Sequence, residues 1–530
     1  MTHDGQMADI PLLNRRRFLG STAALAALSL SAPLHAQETA AATTEPFTFE
    51  WLSALAKSRA AAPDPEAGPK DQLLSQLDYD DYNRIAFRPN RARWAGDVPG
   101  WQLQPFHTGW LFERPVVLHE VVDGQVAPMT FGAADFEYRD GIKVEIPADF
   151  TLPGVAGFKL TAPFNTVAQQ DEVISFLGSS YFRALGRGNR YGLSARGVAI
   201  DSGLPRPEDF PRFSEFWLER PAQGSKTVKM WALMDSARLT GAYEFVLTPG
   251  ETTVVDVRCE LHFREAVFEL GIAPLTSMFL YGPINRHLFD DYRPQVHDSD
   301  GLRIERADGD VIWRALSNPE NLASSYFMET APRRFGLHQR SRDFEDFQDS
   351  GARYDLRPSL DVEPIGDWGK GAVRLFEIPT RLEVHDNIGA FWVPEAKVQA
   401  GESRAFAYRL HWGALAPDPA SDLAWVSETF GGVGGAAGMD TPPDTRKFVI
   451  DFKGGILATA SEFDPQIAPV VNVSGGRSDV VALSKLPDNA GWRLVVDIAA
   501  NSGALVEINA HIAGYGRKLS EIWSFQWKKP

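Results

Sequence analysis

The sequence predicts an all-β protein in which a large antiparallel β-sandwich is followed by a small immunoglobulin-like β-sandwich. Short runs rich in β-branched and aromatic residues recur from about residue 87, and they are bounded by Gly, Pro or Asp as strands are. No run alternates strands with helices in the manner of a parallel, doubly wound sheet. The chain has 530 residues, which is too long for one ordinary core, so more than one domain is expected.

The large domain is expected to begin with helices and to continue with strands. Residues 47–62 and 71–77 have the apolar spacing of amphipathic helices. Strands predicted in this domain include residues 226–234, 242–247, 252–263, 373–378 and 405–412. Cys259 is the only cysteine, and it lies in an alternating apolar stretch that predicts a buried, inert thiol.

A change of composition after Trp412 predicts a domain boundary near residue 415. Residues 414–422 are rich in Pro, Ala and Asp, so residues 37–415 and 416–530 are expected to form the two domains. Evenly spaced strands are predicted in the second domain at residues 447–452, 470–473, 480–483, 492–498, 505–512 and 522–527. The segment 431–446, rich in Gly, is expected to be a long loop of this domain.

The first 36 residues are predicted to be a twin-arginine signal peptide. Arg15 and Arg16, followed by Phe18 and Leu19, precede an apolar run, and Ala36 supplies a small residue for cleavage. The apolar run is too short to span a bilayer as a stable helix. An ordinary secretory signal with a basic start is the alternative. The sequence therefore predicts a periplasmic protein that is exported by the twin-arginine pathway and is not stably inserted in a membrane after cleavage.

Charge and aromatic content narrow the classes of partner. The formal net charge of −16 argues against binding to nucleic acid or to an anionic membrane surface. The 14 Trp and 33 Phe residues suit a flat ligand such as a carbohydrate, and they suit the packing of large β-sheet cores equally well. The sequence does not give the oligomeric state, and a homodimer is one of the open alternatives.

Two short acidic runs carry the candidate chemistry: His-Asp-Ser-Asp-Gly at residues 297–301 and His-Asp-Asn at residues 385–387. Glycoside hydrolysis uses one carboxylic acid to protonate the leaving oxygen and a second carboxylate to activate water or attack carbon. Asp298, in a polar turn, suits an ionised base, and Asp386, near apolar residues, suits a carboxyl whose pKa is raised by desolvation. A role as simple turn formers stays open for both residues. A metal held between the two His-Asp pairs is disfavoured because nothing else supplies convergent ligands.

Blocks of sequence along almost the whole mature chain carry a resemblance to a known family. They lie at residues 77–82, 176–184, 191–197, 271–279, 297–301, 357–359, 368–371, 377–380 and 386–388. In these blocks the chain resembles the periplasmic osmoregulated-glucan biosynthesis proteins, the OpgG/OpgD (MdoG/MdoD) family. The twin-arginine signal makes it more similar to the OpgD branch, whose members resemble inverting endo-β-1,2-glucanases.

The resemblance implies a fold, a substrate and roles for three acids. The fold is a galactose mutarotase-like β-supersandwich followed by an immunoglobulin-like domain, and the partner is β-1,2-glucan. Asp386 is implied to be the general acid and Asp298 the base, with Asp300 as the neighbouring alternative. The base is implied to reach the nucleophilic water through a relay, and no metal or organic cofactor is needed.

The reaction itself stays open between three outcomes. The family's loop early in the second domain, which corresponds to residues 431–446, can cover the relay and varies among members. If it excludes water, a sugar hydroxyl becomes the acceptor, and the enzyme is then an inverting transglycosylase that cyclises linear β-1,2-glucan. A non-catalytic glucan-binding assembly protein is the third alternative.

Further predictions concern residues that contact the sugar. Trp313, Tyr354, Trp368 and Trp392 are candidates to stack on glucose rings, for which core packing is an equally good explanation. Arg357 is a candidate to donate hydrogen bonds to sugar hydroxyls, and pairing with an acid is the alternative.

Overall fold

The prediction of an all-β fold is confirmed by the computed structural model of the protein. It describes residues 46–62, 71–96, 100–435, 438 and 444–530. The predicted signal peptide, residues 1–36, lies outside the described residues. Among the helices of the described part, none is long and apolar enough to cross a membrane.

The helices are short and lie at the surface of the sheets. They are α1 (Phe49–Ala60), α2 (Tyr79–Tyr82) and α3 (Phe344–Phe347). Helix α1 confirms the first predicted helix, and its Leu52 and Ala56 are buried on the side that faces strands. The second predicted helix, residues 71–77, is wrong in extent, since only one 3₁₀ turn forms there. The carboxylate of Asp71 accepts hydrogen bonds from the next backbone N–H groups and so holds a tight turn instead.

The strands, in chain order, fall into two groups. The first group is β1 (Ile85–Phe87), β2 (Gln102–Phe106), β3 (Val117–Val122), β4 (Gln125–Met129), β5 (Phe136–Tyr138), β6 (Gly157–Pro163), β7 (Gln170–Leu177), β8 (Tyr181–Ala184), β9 (Ser194–Arg196), β10 (Val198–Ile200), β11 (Arg212–Glu219), β12 (Val228–Asp235), β13 (Leu239–Thr248), β14 (Thr253–Phe263), β15 (Leu270–Ser277), β16 (Phe279–Tyr281), β17 (Val296–His297), β18 (Gly301–Glu305), β19 (Val311–Ala315), β20 (Ala323–Thr330), β21 (Arg334–His338), β22 (Ser359–Ile365), β23 (Lys370–Glu377), β24 (Ile388–Pro394) and β25 (Ser403–Gly413). The second group is β26 (Trp425–Val433), β27 (Thr445–Lys453), β28 (Ala468–Ser474), β29 (Arg477–Lys485), β30 (Trp492–Ala499), β31 (Leu505–Gly514), β32 (Arg517–Lys518) and β33 (Ile522–Lys528).

Most of these strands belong to three sheets. A ten-stranded sheet has the order β2-β6-β7-β8-β9-β15-β24-β23-β20, with β10 also beside β15. A fifteen-stranded sheet has the order β28-β31-β33-β19-β18-β21-β22-β25-β14-β13-β12-β11-β3-β4, with β32 beside β31. A four-stranded sheet has the order β26-β27-β30-β29, and the pairs β1-β5 and β16-β17 stand apart.

The main core lies between the ten-stranded and fifteen-stranded sheets. Phe176 on β7 contacts Phe216 on β11 with ring centroids 5.0 Å apart, and Phe182 on β8 lies 5.5 Å from Phe245 on β13. Each such ring removed from water stabilises the fold by roughly 1.5–3 kcal/mol. The predicted strands of the large domain are confirmed as β12, β13, β14, β23 and β25. Cys259 on β14 is buried as predicted, and burial raises the pKa of its thiol to about 12.

The predicted boundary at residue 415 falls between β25 and β26, but one sheet continues across it. Strand β19 pairs in parallel with β33, with Trp313 opposite Trp523. The four-stranded sheet packs on this end of the large sheet, where Phe448 lies 5.7 Å from Trp523. The second group of strands therefore forms a smaller two-layer sandwich that shares a sheet with the larger one. All six strands predicted beyond residue 446 are present.

The prediction that residues 431–446 form a loop is wrong at both ends. Gly431 belongs to β26, and β27 begins at Thr445. A Cβ atom at Gly431 would lie 2.3 Å from the carbonyl oxygen of Ile284, so glycine lets the strand approach the large domain closely. Arg446 fixes the same contact by donating to that oxygen at 2.8 Å.

Candidate active site

Asn387 brings the two acidic motifs together. It follows β23 and precedes β24, and its buried side chain bonds to the backbone at the start of β16. Its carbonyl oxygen accepts from Phe279 N–H at 2.8 Å, and its amide nitrogen donates to the carbonyl oxygens of Phe279 and Ile378, both at 3.0 Å. Strand β16 pairs with β17, which ends one residue before Asp298. The turn that carries Asp386 is therefore fixed to the strand pair that presents Asp298.

Asp298 is a buried carboxylate held by an arginine. Its side chain accepts a hydrogen bond from Arg357, and its backbone N–H donates to the carbonyl oxygen of Met278 at 2.8 Å. The residue is 3% exposed, whereas the side chain of Asp386 is 28% exposed, so the desolvated acid is Asp298 and not Asp386 as expected. Burial raises the pKa of Asp298 to about 6, with Arg357 opposing the shift and the charge of Asp386 adding to it.

Asp386 lies within electrostatic reach of Asp298 and is the more open of the two acids. Its side chain is 28% exposed, and its carboxylate lies 3.9 Å from the guanidinium of Arg183. The charge of Arg183 also lowers the pKa of Asp298, so this cation serves both carboxyl groups. One buried and one partly exposed carboxyl thus share a site with two arginines, Arg183 and Arg357.

Arg357 is held in place by its surroundings. Its guanidinium carbon lies 4.2 Å from the centre of the Tyr354 ring. Arg342 donates to the carbonyl oxygen of Arg357 and to Ser359 Oγ, the latter at 2.9 Å. A Cβ atom at Gly192 would lie 2.9 Å from the Cβ of Arg357, so that glycine allows a neighbouring loop to cover it. The arginine that binds Asp298 is therefore fixed before any ligand arrives.

Asp300 points away from this pair. One of its carboxylate oxygens accepts from the backbone N–H of Arg340 at 2.9 Å and of Ser341 at 3.3 Å. The same carboxyl lines a small interdomain cavity with His297 and Glu428. The structure thus groups Asp298, and not Asp300, with Asp386.

Arg340 joins the two sandwiches. Its Nη2 and Nη1 atoms lie 2.7 and 2.8 Å from the two carboxylate oxygens of Glu521, and it also donates to the carbonyl oxygen of Val426. Glu521 in turn accepts from Val426 N–H at 2.9 Å. The Arg340 guanidinium lies 3.6 Å from the centre of the Trp313 ring. Asp300 therefore supports a clamp between the sandwiches.

The structure corrects the predicted sugar contacts of four aromatic residues. Trp392 is 0% exposed and Trp368 lies beside it in the main core, with ring centroids 6.2 Å apart. Trp313 is covered by Arg340. Tyr354 is buried beneath Arg357, and its hydroxyl donates to Glu383 at 3.2 Å. All four side chains are buried, so none of these rings offers an exposed face on which a sugar could stack.

The two histidines of the motifs have structural partners. His297 is buried and its ring nitrogens lie 2.7 and 3.1 Å from the side-chain amides of Gln339 and Gln295. His385 Nδ1 lies 2.8 Å from Thr380 Oγ1. Within the described residues, no group of three or more His, Cys, Asp or Glu side chains is placed to hold a metal ion.

Three residues of the site escaped sequence reasoning. Arg183 stands in one of the family-like blocks, but nothing local distinguishes it from a surface arginine. Asn387 was noted only as part of the His-Asp-Asn motif, and no role was predicted for it. Glu383 lies in an exposed segment between two strands, where an acidic residue is common. Each acts through a contact with a residue distant in sequence, which no local pattern encodes.

A pH dependence of stability is expected from Glu428, which faces the interdomain cavity from β26. Burial first, and then the charges of Asp300 and Asp346, raise its pKa from 4.5 to about 7, while Lys453 opposes them and Asp451 adds to them. Between these pH values the folded protein keeps a proton that the unfolded chain has released. The contribution of Glu428 to the free energy of unfolding should therefore fall as pH rises from about 4.5 to 7, by up to about 3 kcal/mol.

Denaturant unfolding at several pH values measures this slope. The buried His107, whose pKa is lowered to about 4, contributes a slope of the opposite sign over the same range. The share of Glu428 is therefore the difference between the slopes of wild type and Glu428→Gln. An unchanged slope in Glu428→Gln would contradict the assignment to Glu428.

Comparison with known proteins assigns the chain to a family. The family model described as "Periplasmic glucan biosynthesis protein, MdoG" matches residues 47–527. This chain belongs to that family of periplasmic glucan biosynthesis proteins. Its assignment from sequence blocks is thereby confirmed.

Relatives named for both branches of the family align along nearly the whole chain. "Glucans biosynthesis protein G" of Cereibacter sphaeroides is 51% identical, with 98% of each chain covered. The protein of the same name from Rhodopseudomonas palustris is 41% identical, covering 97% of this chain and all of its own. "Glucans biosynthesis protein D 1" of Ralstonia nicotianae is 42% identical, with 93% of each chain covered.

Proposed function

We propose that this chain is a periplasmic, anomer-inverting endo-β-1,2-glucanase that acts in glucan biosynthesis. The observation that carries the proposal is the convergence of Asp298 and Asp386, one buried and one partly exposed, beside Arg183 and Arg357. Two carboxyl groups in unlike environments are the equipment of glycoside hydrolysis. The β-1,2 linkage is taken from the resemblance to the OpgD branch, and the role in glucan biosynthesis from the family.

In the proposed mechanism Asp386 donates its proton to the glycosidic oxygen, and Asp298 accepts a proton from the nucleophile. The partial exposure of Asp386 leaves it open to a substrate in the cleft. Asp298 is enclosed and bonded to Arg357, which favours a proton path through a relay over direct contact with the nucleophilic water. With a pKa of about 6, Asp298 is ionised at neutral pH, as a base must be.

The pH profile of turnover is expected to follow Asp298. Because a base works only when deprotonated, kcat/KM should fall as pH drops below about 6. Arg357 lowers the pKa of Asp298, so Arg357→Met should move this acidic limb to higher pH as well as reduce the rate. Initial rates from pH 4 to 9 measure both effects, and a limb that stays in place in Arg357→Met would contradict the role of Asp298.

Product analysis tests the proposed function directly. The purified mature protein is incubated with linear β-1,2-glucan, and the products are analysed by mass and by the NMR signal of the newly formed anomer. Smaller oligosaccharides that first appear as the α-anomer support an inverting glucanase. Products lighter than linear chains of equal length by one water would show cyclisation by a transglycosylase instead. Binding without conversion would leave a glucan-binding assembly protein.

A further inference from the structure

We infer that Arg293 is a positioning residue for Asp386: it holds the exposed loop of residues 381–386 in the orientation that aims the proton donor into the cleft. The inference rests on the proposed function, because it concerns the acid of that reaction. Arg293 lies outside both acidic motifs and contacts neither Asp298 nor Asp386 among the ion pairs of the site.

Arg293 joins three segments of chain through three carboxylates. Its Nη1 atom lies 2.8 Å from Glu383 Oε2 and 2.8 Å from Asp349 Oδ2, and its Nη2 atom lies 2.8 Å from Asp291 Oδ2. The arginine side chain is only 14% exposed, so these pairs are shielded from water more than ordinary surface pairs are. Asp349 also accepts from the backbone N–H of Ala352 at 2.7 Å, which makes its segment a rigid support.

The loop that carries Asp386 is attached at its two ends, where Asn318 bonds to Thr380 and Asn387 bonds to Phe279, and its middle is more open. Residues 381–384 are exposed. Thr380 Oγ1 donates to the carbonyl oxygen of Leu382 at 3.2 Å and lies 2.8 Å from His385 Nδ1, which shapes the loop without attaching it to the neighbouring segments. Glu383, three residues before Asp386, supplies the attachment to Arg293 and Tyr354.

The same contacts connect the loop to the base. Glu383 accepts from Tyr354, the ring of Tyr354 supports Arg357, and Arg357 binds Asp298. Arg293 stands at the far end of this chain of contacts. Arg293 thereby adds to the placement of the two carboxyl groups that Asn387 provides at the end of the loop.

Charge explains why the loss of Arg293 should act on the loop. Glu383, Asp349 and Asp291 are three carboxylates around one cation. Without Arg293 they repel each other, and Glu383, which is the most exposed of the three, keeps only its hydrogen bond from Tyr354 against the pull of solvent on its loop. Asp386 would then sample orientations away from the glycosidic oxygen, and misplacement of this kind lowers the rate of the chemical step more than it weakens binding.

The test compares Arg293→Met and Arg293→Lys with the wild-type full chain. Turnover of linear β-1,2-glucan should fall about tenfold or more in kcat for Arg293→Met, with KM changed by less than about threefold. Arg293→Lys keeps the charge and should recover part of the loss. Without substrate, amide hydrogen exchange in residues 381–386 should be faster in Arg293→Met. The matched control is Arg303→Met, which breaks an ordinary pair with Glu305 and should leave all three readouts unchanged.

A double-variant cycle separates positioning from general destabilisation. If Arg293 acts through Glu383, then in a Glu383→Gln background the further change Arg293→Met should alter kcat by less than about twofold. Equal losses in both backgrounds would overturn the inference, and so would unchanged exchange in residues 381–386. If the wild-type protein converts no glucan, the proposed function fails, and the exchange measurement still decides whether Arg293 holds the loop.

Discussion

Replacing Asp386 with Asn is expected to lower the turnover of linear β-1,2-glucan by about 10²–10⁴-fold while the fold stays intact. The amide cannot donate the proton that the leaving oxygen needs, and the partly exposed position leaves no buried group without a partner. Steady-state rates on the purified variant, together with its thermal unfolding midpoint, measure both parts of the expectation.

A substrate with a better leaving group shows whether Asp386 acts as the general acid. An aryl β-1,2-linked oligosaccharide that releases an acidic phenol needs little protonation, so Asp386→Asn should retain far more of its rate on this substrate than on the glucan. Asp298→Asn should lose activity on both. The matched control is Asp149→Asn, at an exposed carboxyl of the large domain, which should behave as wild type. An Asp386→Asn variant with more than about a tenth of wild-type turnover would remove Asp386 from the role of acid.

Replacing Arg340 with Met is expected to lower the free energy of unfolding by about 3–5 kcal/mol. The change leaves Glu521 as a buried charge without its cation, since the side chains of the pair are only 7% and 6% exposed. Chemical denaturation at fixed pH measures the loss. Arg477→Met, which breaks an exposed pair with Asp479, is the control and should change the value by less than about 1 kcal/mol.

A second variant distinguishes an unpaired charge from lost packing. Removing both charges with Arg340→Met and Glu521→Gln should recover part of the stability, because no buried charge remains and the Gln side-chain oxygen still accepts from Val426 N–H. If the double variant is as unstable as Arg340→Met alone, the burial of Glu521 is not the cause of the loss.

Sequence alone was enough for the strands but not for the surroundings of the acids. Strands such as β13 and β14 could be predicted because alternating burial leaves a period of two in the sequence. Asp298 and Asp300 look alike in sequence, yet the chain bends at both, and one carboxyl meets Arg357 while the other meets the backbone of Arg340. Asp298 is the enclosed acid because a distant loop places Arg357 beside it, and no residue near the motif predicts this contact.

The surroundings of the predicted sugar-stacking residues could not be predicted from the sequence either. A tryptophan can lie in a core or in a binding cleft, and the continuous apolar run around Trp392 does not show which of the two holds its ring. Only the assembled sheets show that its ring packs against Trp368. Arg293 illustrates the reverse case, because its three partners come together only after the loops have folded.

The parallel pairing of β19 with β33 has a consequence for anyone who wishes to divide this protein. A fragment that ends near residue 415 would strip β19 of its neighbour and open a row of backbone N–H and C=O groups along a long sheet. An exposed sheet edge of this kind can pair with strands of other chains, and such pairing causes aggregation. The C-terminal sandwich therefore covers the β19 edge of the large sheet and protects it from pairing with other chains.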